Sequence, residues 1–144
     1  MSAVANIVLA DAQATPVNHT FIPLGTDTKG VWWFEDQTGS ASIGYNRISL
    51  SLTRAGNPAP GSNSRERMNR VKIGIHTPTL ETLGTNDAGI TPPPTVSYVN
   101  RVNLEFVLPE QNTLQNRKDL RKYCQFLCAD TQVIGMVELL QGVY

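Results

Sequence analysis

The strongest constraint on the fold lies between Thr95 and Cys128, where the hydrophobic period changes from that of a strand to that of a helix. From Arg101 onward, Val102, Leu104, Phe106 and Leu108 alternate with Arg101, Asn103 and Glu105. Period 2 is the mark of a half-buried strand, because successive side chains point to opposite faces. Pro109 lacks the amide a ladder needs and closes that strand. Beyond it, Leu120, Tyr123, Cys124 and Leu127 recur at helical spacing, with Asn112 or Thr113 available as the N-cap. A strand with one polar face therefore feeds directly into a helix with one apolar stripe.

The rest of the chain reads as the sheet built around that strand. Ala3 to Leu9 and Val17 to Leu24 are β-prone runs separated by turn residues, which predicts an N-terminal hairpin over about 3–24. Gly25 to Gly30 reads as a turn, and VWWFE, Val31 to Glu35, as an aromatic strand. Ile43 to Thr53 reads as the next strand. Its phase slips near Gly44, which suggests a bulge. Arg47, Ser49, Ser51 and Thr53 share one face, and Ile48, Leu50 and Leu52 the other. After the loop-like stretch Ala55 to Ser64, Arg65 to Thr77 alternates again, with Val71, Ile73 and Ile75 inward and Arg70, Lys72, Gly74 and His76 outward. A long connection follows, Pro78 to Pro94, and connections of this length in a compact domain are functional or disordered. Val133, Ile134, Val137 and Leu140 predict a second, short helix, weakened by Gly135.

Strands first and helices last predicts an α+β fold. It is an N-terminal hairpin, an antiparallel meander over about 30–109, and two C-terminal helices over about 112–142, all within one domain. Two helices are little cover for the apolar faces of three patterned strands. That shortfall favours a second subunit.

Composition then limits function. Twelve basic and twelve acidic residues cancel, so nucleic-acid binding would need a local patch. Neither a signal-peptide pattern nor an apolar run of about 20 residues is present, so the expectation is a soluble intracellular chain without a membrane partner. Cys124 and Cys128, four apart on the predicted helix, read as small buried apolar residues rather than a redox or metal pair. His19 and His76 sit in no metal-ligand spacing, and no nucleophile has an evident base. Glu35, Asp36 and Asp130 read as turn or cap residues. No enzyme, metal or cofactor is expected.

One patch stands out. If the patterned strands are neighbours, their polar face gathers Arg47, Ser49, Ser51, Arg70, Lys72, Arg101 and Asn103, with Glu105 as its single acid. Cations for phosphates beside hydroxyls and an amide for base edges make a plausible RNA surface. An ordinary solvated sheet face has the same alternation. Arg117, Lys118, Arg121 and Lys122 form a second basic cluster, which reads as the solvated face of the helix.

Taken together, the order of elements and the stretches RISLSLT (Arg47 to Thr53), RVKIGI (Arg70 to Ile75), RVNLEFVLP (Arg101 to Pro109) and the GVY ending resemble the coat proteins of single-stranded RNA bacteriophages, the levivirus group. The resemblance covers essentially the whole chain. It implies a homodimer whose sheets join edge to edge and whose helices cross over the partner's sheet, assembling in the bacterial cytoplasm into a T=3 icosahedral virion. It places Arg47, Ser49, Ser51, Arg70, Lys72, Arg101 and Asn103 against genomic RNA, and a translational-operator hairpin is a possible ligand of the same face. It implies a dimer interface containing Leu120, Tyr123, Leu127, Val137 and Leu140. It implies an assembly loop marked by Pro78, Gly84, Gly89, Pro92, Pro93 and Pro94, and a maturation protein as a further partner. Arg101 stands where relatives often carry a Tyr that stacks on a base; arginine can stack as well. The alternative is a non-viral dimeric sheet domain that binds RNA or another ligand and forms no shell.

Overall fold

A computed structural model describes residues 3–63, 65–85 and 89–143. The chain divides into two units, Met1–Arg54 with Asn69–Val107, and Ala55–Met68 with Leu108–Tyr144.

The first unit is built on a six-stranded sheet whose spatial order is its sequence order: β1 (Ile7–Ala10), β2 (Asn18–Thr26), β3 (Trp32–Asp36), β4 (Asn46–Thr53), β5 (Met68–Leu80) and β6 (Val96–Pro109). The antiparallel meander is as expected. β1 and β2 form the N-terminal hairpin, with Ile7 opposite Phe21. Its turn is organised by Asp11, whose carboxylate accepts the Gln13 and Val17 amides at 3.2 and 2.9 Å. Phe21, Phe34 and Ile48 are buried together on one face, with Ile7, Leu50 and Ile75 packed against them. Phe34 is directly opposite Ile48, and Ile48 opposite Ile75, so alternation on three strands converges on this cluster.

Several boundaries differ from expectation, each for a local reason. The turn after β2 is shorter than Gly25 to Gly30. β2 continues to Thr26 through a register shift between Pro23 and Gly25, where Gly25 takes φ 120°. The phase slip before β4 is a 3₁₀ turn, Ser42–Gly44, rather than a bulge inside a strand. A Cβ on Gly44 would lie 2.9 Å from the Leu80 side chain, so close packing requires glycine there. β5 begins at Met68 and runs on to Leu80, so Pro78 is a strand residue and not the start of the loop. The β4 register ends at His76 opposite Arg47, and no β4 ladder bond needs the amide Pro78 lacks.

Glu35 and Asp36 are not turn residues. Both are buried in β3 and satisfied by partners. Glu35 receives Arg47 Nε at 2.9 Å. Asp36 bonds His19 Nδ1 at 2.7 Å and accepts the Thr38 hydroxyl at 2.9 Å.

In the second unit, Arg67 pairs with Glu110 at 2.7 Å and donates to the Gly56 carbonyl, while the Glu110 amide donates to the Arg67 carbonyl at 2.9 Å. Two helices follow, α1 (Leu114–Cys128) and α2 (Thr131–Glu138). Thr113 caps α1 by accepting the Asn116 amide, and Asp130 caps α2 by accepting the Gln132 amide, the cap role expected of it. α2 stops short of residue 142. Leu139 is its C-cap and Leu140 turns to φ 54°, so Leu140 lies outside the helix. Neither helix has a buried residue. Cys124 is half-buried and Cys128 exposed, rather than both being buried as the sequence suggested.

Candidate nucleic-acid interface

The polar face of the first unit is assembled by register. Arg47 lies opposite His76, Ser49 opposite Gly74, Ser51 opposite Lys72, and Thr53 opposite Arg70. Directly opposed residues of an antiparallel pair project to the same side. One strand further, Glu35 opposes Arg47 and Trp33 opposes Ser49, so β3 adds Glu35 and Trp33 to this face. β6 joins from the other side: Asn103 Oδ1 would lie 3.7 Å from a Cβ on Gly74, and Glu105 reaches Arg70.

Ser49, Ser51, Lys72 and Asn103 line one open groove of about 490 Å³, together with Gly74, Glu105, Val31 and Trp33. Gly74 is its floor. A Cβ there would come within 2.5 Å of Ser49 Oγ, so the absent side chain leaves room for the hydroxyl. Trp33 is held at the groove edge by Nε1 donating to Asp27 Oδ2 at 3.3 Å and by an edge-on contact with the His76 ring, 5.9 Å between centroids.

Three of the four expected basic residues are engaged by carboxylates. Arg47 Nε donates to Glu35 Oε2 at 2.9 Å, and Arg70 Nη1 to Glu105 Oε1 at 2.9 Å, with Lys72 Nζ 3.8 Å from the same oxygen. The Arg70 hydrogen bond, aided by the Lys72 charge, holds the Glu105 carboxyl below the usual carboxylate range. Arg101 is exposed on β6 and is not among the residues lining the groove. The groove thus offers an ammonium, two hydroxyls, an amide, an indole and the Glu105 carboxylate. These groups suit a nucleobase and its phosphate.

Sequence reading missed Val31, Trp33 and the Arg47–Glu35 pair. The parity of Val31, Trp33 and Glu35 within VWWFE carried the signal. Only the register with β4 shows which parity faces the groove.

The other expected residues lie elsewhere. Gly84, Gly89, Pro92, Pro93 and Pro94 belong to the connection between β5 and β6, of which residues 86–88 lie outside the described residues. Its neck is closed by the Glu81 amide donating to the Thr95 carbonyl at 2.9 Å and by the Thr95 hydroxyl donating to Glu81 at 2.5 Å. Leu120, Tyr123, Leu127, Val137 and Leu140 are all exposed, Leu140 to 88 %. Arg117, Lys118, Arg121 and Lys122 are exposed on α1, as expected. Tyr144, the end of the GVY stretch, lies outside the described residues. No helix among them is long and apolar enough to cross a membrane.

Comparison with known proteins bears on the family and the fold. The family model for levivirus coat proteins matches residues 2–144. The coat protein of the virus-like particle of bacteriophage ESE058 is 48 % identical, with 99 % of this chain and 100 % of that chain covered and a TM-score of 0.89. That of bacteriophage NT-214 is 28 % identical over 99 % and 100 % of the two chains, with a TM-score of 0.82. The bacteriophage GA capsid protein, 16 % identical over 96 % of each chain with a TM-score of 0.70, shares the fold. None of the curated proteins matches.

Proposed function

Because the chain belongs to the levivirus coat protein family, we propose that it pairs into dimers which close into a shell around single-stranded RNA, with the β3–β6 face inward. The capsid role follows from the family itself, and the similar chains of ESE058 and NT-214 form virus-like particles. The RNA-binding reading rests on one observation above all: the register that brings Ser49, Ser51, Lys72 and Asn103 around a single groove beside Trp33. Lysine takes a phosphate, the hydroxyls and amide take base edges, and the indole offers a face for stacking.

Dimerisation is supported by two features. β6 is 14 residues long and terminates the sheet, and among the described residues no strand pairs with its outer edge. A long open edge is a template for another chain. Leu120, Tyr123 and Leu127 form the exposed apolar stripe of α1, suited to lie over a partner's sheet. The virion is the place where such a subunit acts. A maturation protein and an operator hairpin are further partners of the same reading.

The test combines electron microscopy of the purified protein with RNA binding over a range of salt. Closed particles containing RNA are expected. Lys72→Ala lowers the logarithmic salt slope by about 0.7 and weakens many RNAs alike. Asn103→Ala mainly reduces discrimination among hairpins, because an amide carries no charge. Arg117→Ala with Lys118→Ala changes neither. Loss of RNA in that helix double variant, with binding retained by Lys72→Ala, would place the wrong face inward.

A further inference from the structure

We propose that the side of α1 carrying Lys118 and Lys122, with Phe126 beside them, is a docking surface for a polysaccharide that bears phosphate monoesters. The inference rests in part on the reading above, in which Leu120 and Leu127 lie over a partner's sheet. At about 3.6 residues per turn, Lys118 and Lys122 stand on the opposite side of the helix from those leucines. They then meet what lies outside the shell, not the RNA within it.

Arg117, Lys118, Arg121 and Lys122 place four of the chain's twelve basic residues in one stretch of α1. All four are exposed. Among the described residues none of them has a carboxylate within ion-pair distance, whereas Arg47, Arg67, Arg70 and Lys72 each do. Asp119, the acid of the same helix, accepts Gln115 Nε2 at 2.7 Å instead. The cluster does nothing for the helix itself. Arg117 with Arg121, and Lys118 with Lys122, are like charges one turn apart, which repel. The last turn, where the helix dipole favours a cation, holds none. Beside the cluster, Lys122 Nζ sits 5.5 Å from the centroid of the Phe126 ring, which is 65 % exposed.

These groups fit one kind of partner. Two cations a turn apart can close on one phosphate monoester, whose charge approaches two. A carboxylate carries one charge and would leave each pair half neutralised. The negative face of the phenyl ring attracts the polarised C–H bonds of a sugar as it attracts Lys122. A bilayer is a poorer match. A helix lying in a membrane surface sinks its broad apolar side into the lipid, and the broad apolar side of α1 is the Leu120 stripe, turned away from Lys118 and Lys122. Exposed ion pairs are individually weak. The patch recurs on every subunit, so a polymer that reaches neighbouring copies gains by multivalency.

The experiment titrates purified particles with fluorescent phosphomannan, unphosphorylated mannan and inorganic polyphosphate over a salt series. Electron microscopy checks that each variant forms closed particles containing RNA. Wild-type particles are expected to bind phosphomannan, less tightly as salt rises, and not to bind mannan. Lys118→Gln with Lys122→Gln should weaken that binding about five- to twentyfold, as two exposed ion pairs allow. Arg117→Gln with Arg121→Gln should act in the same sense, and decides the matter should the lysine variant give no particles. Phe126→Leu should weaken phosphomannan while leaving polyphosphate unchanged. An equal loss from Lys29→Gln with Arg65→Gln, two exposed cations elsewhere, would overturn the proposal as an effect of net charge alone. Tighter binding to phosphatidylglycerol vesicles than to phosphomannan would overturn it in favour of a lipid surface. Closed, RNA-filled particles that ignore phosphomannan at low salt would overturn it and leave the capsid reading standing. Failure of the wild type to form particles at all would remove both.

Discussion

His19 bridges two carboxylates, and its protonation decides how firmly the N-terminal hairpin is held to β3. Its Nδ1 bonds the buried Asp36 at 2.7 Å and its Nε2 faces Asp11 at 3.4 Å. The Asp36 hydrogen bond, followed by that of Asp11, raises the imidazole above its ordinary value of 6.5. Burial pushes Asp36 up, but bonds from His19 and Thr38 outweigh it and leave the carboxyl low. Asp11 is lowered chiefly by the Val17 amide. A raised histidine contributes stability that is complete below its unfolded value and is lost as pH rises through the folded one. The lowered carboxylates contribute above about their ordinary 3.8 and lose that contribution as pH falls through their depressed values. Hydrogen-exchange protection of β1 and β2 is therefore expected to peak at mildly acidic pH and to decline above the ordinary histidine range. His19→Asn should abolish the decline on the alkaline side. A flat profile in the wild type would contradict this account. Gly74 gives a second test at the same scale. Gly74→Ala places a methyl 2.5 Å from Ser49 Oγ, a side-chain atom that can rotate away. The sheet should survive at a cost of about 1 kcal/mol, while the altered groove floor lowers RNA affinity severalfold. Binding assays on a variant with wild-type circular dichroism check it.

At the scale of elements, the β5–β6 connection is a loop with a fixed neck. Glu81 and Thr95 bond through both backbone and side chain, which keeps β5 and β6 together irrespective of the residues between them. Removal of 85–89 should thus leave dimers at normal yield, since loop closure changes slowly with length. It is expected to alter or block particle formation if the loop makes contacts between subunits, because identical subunits in a large shell meet non-identical neighbours. Normal particles from the deletion would show the loop to be passive. The same elements show what the sequence could and could not express. Arg47 to Thr53 and Arg101 to Leu108 were readable because one face is apolar and the other polar, and a one-residue slip would invert every side chain. Pro78 was misread because a proline alone does not reveal that the β4 partner has already ended at His76. Glu35 and Asp36 look like turn residues until His19 and Arg47, 17 and 12 positions away, are brought beside them. The groove had the same character. Its β4 and β5 members followed from alternation, whereas Trp33 entered only through cross-strand register.

For the whole molecule the question is what completes the core. Among the described residues only Phe21, Phe34 and Ile48 are buried apolar side chains, in a chain of 144 residues of which 40 % are hydrophobic. Such a cluster is too small to offset the conformational entropy lost by a domain of this length. Meanwhile Leu120 is 41 %, Tyr123 68 % and Leu127 61 % exposed along one helix. Exposed apolar stripes of this kind mark an interface. Among the described residues no strand pairs with the outer edge of β6, which is a second surface open to a partner. Obligate homodimers bury about 2,000–5,000 Å² and resemble a divided core, which is what these surfaces would supply. The dimer is therefore expected to be the smallest folded species. Leu127→Asp would carry a carboxylate into that interface, at a cost of several kcal/mol unless it is paired. Soluble dimer should be lost, and with it folded protein, rather than giving way to a stable monomer. Arg121→Asp, on the basic side of α1, introduces the same carboxylate away from the stripe and should leave the dimer intact. Light scattering with circular dichroism on serial dilutions separates the outcomes. Unfolding that tracks dissociation supports the obligate dimer, and a wild-type monomer that stays folded on dilution would refute it.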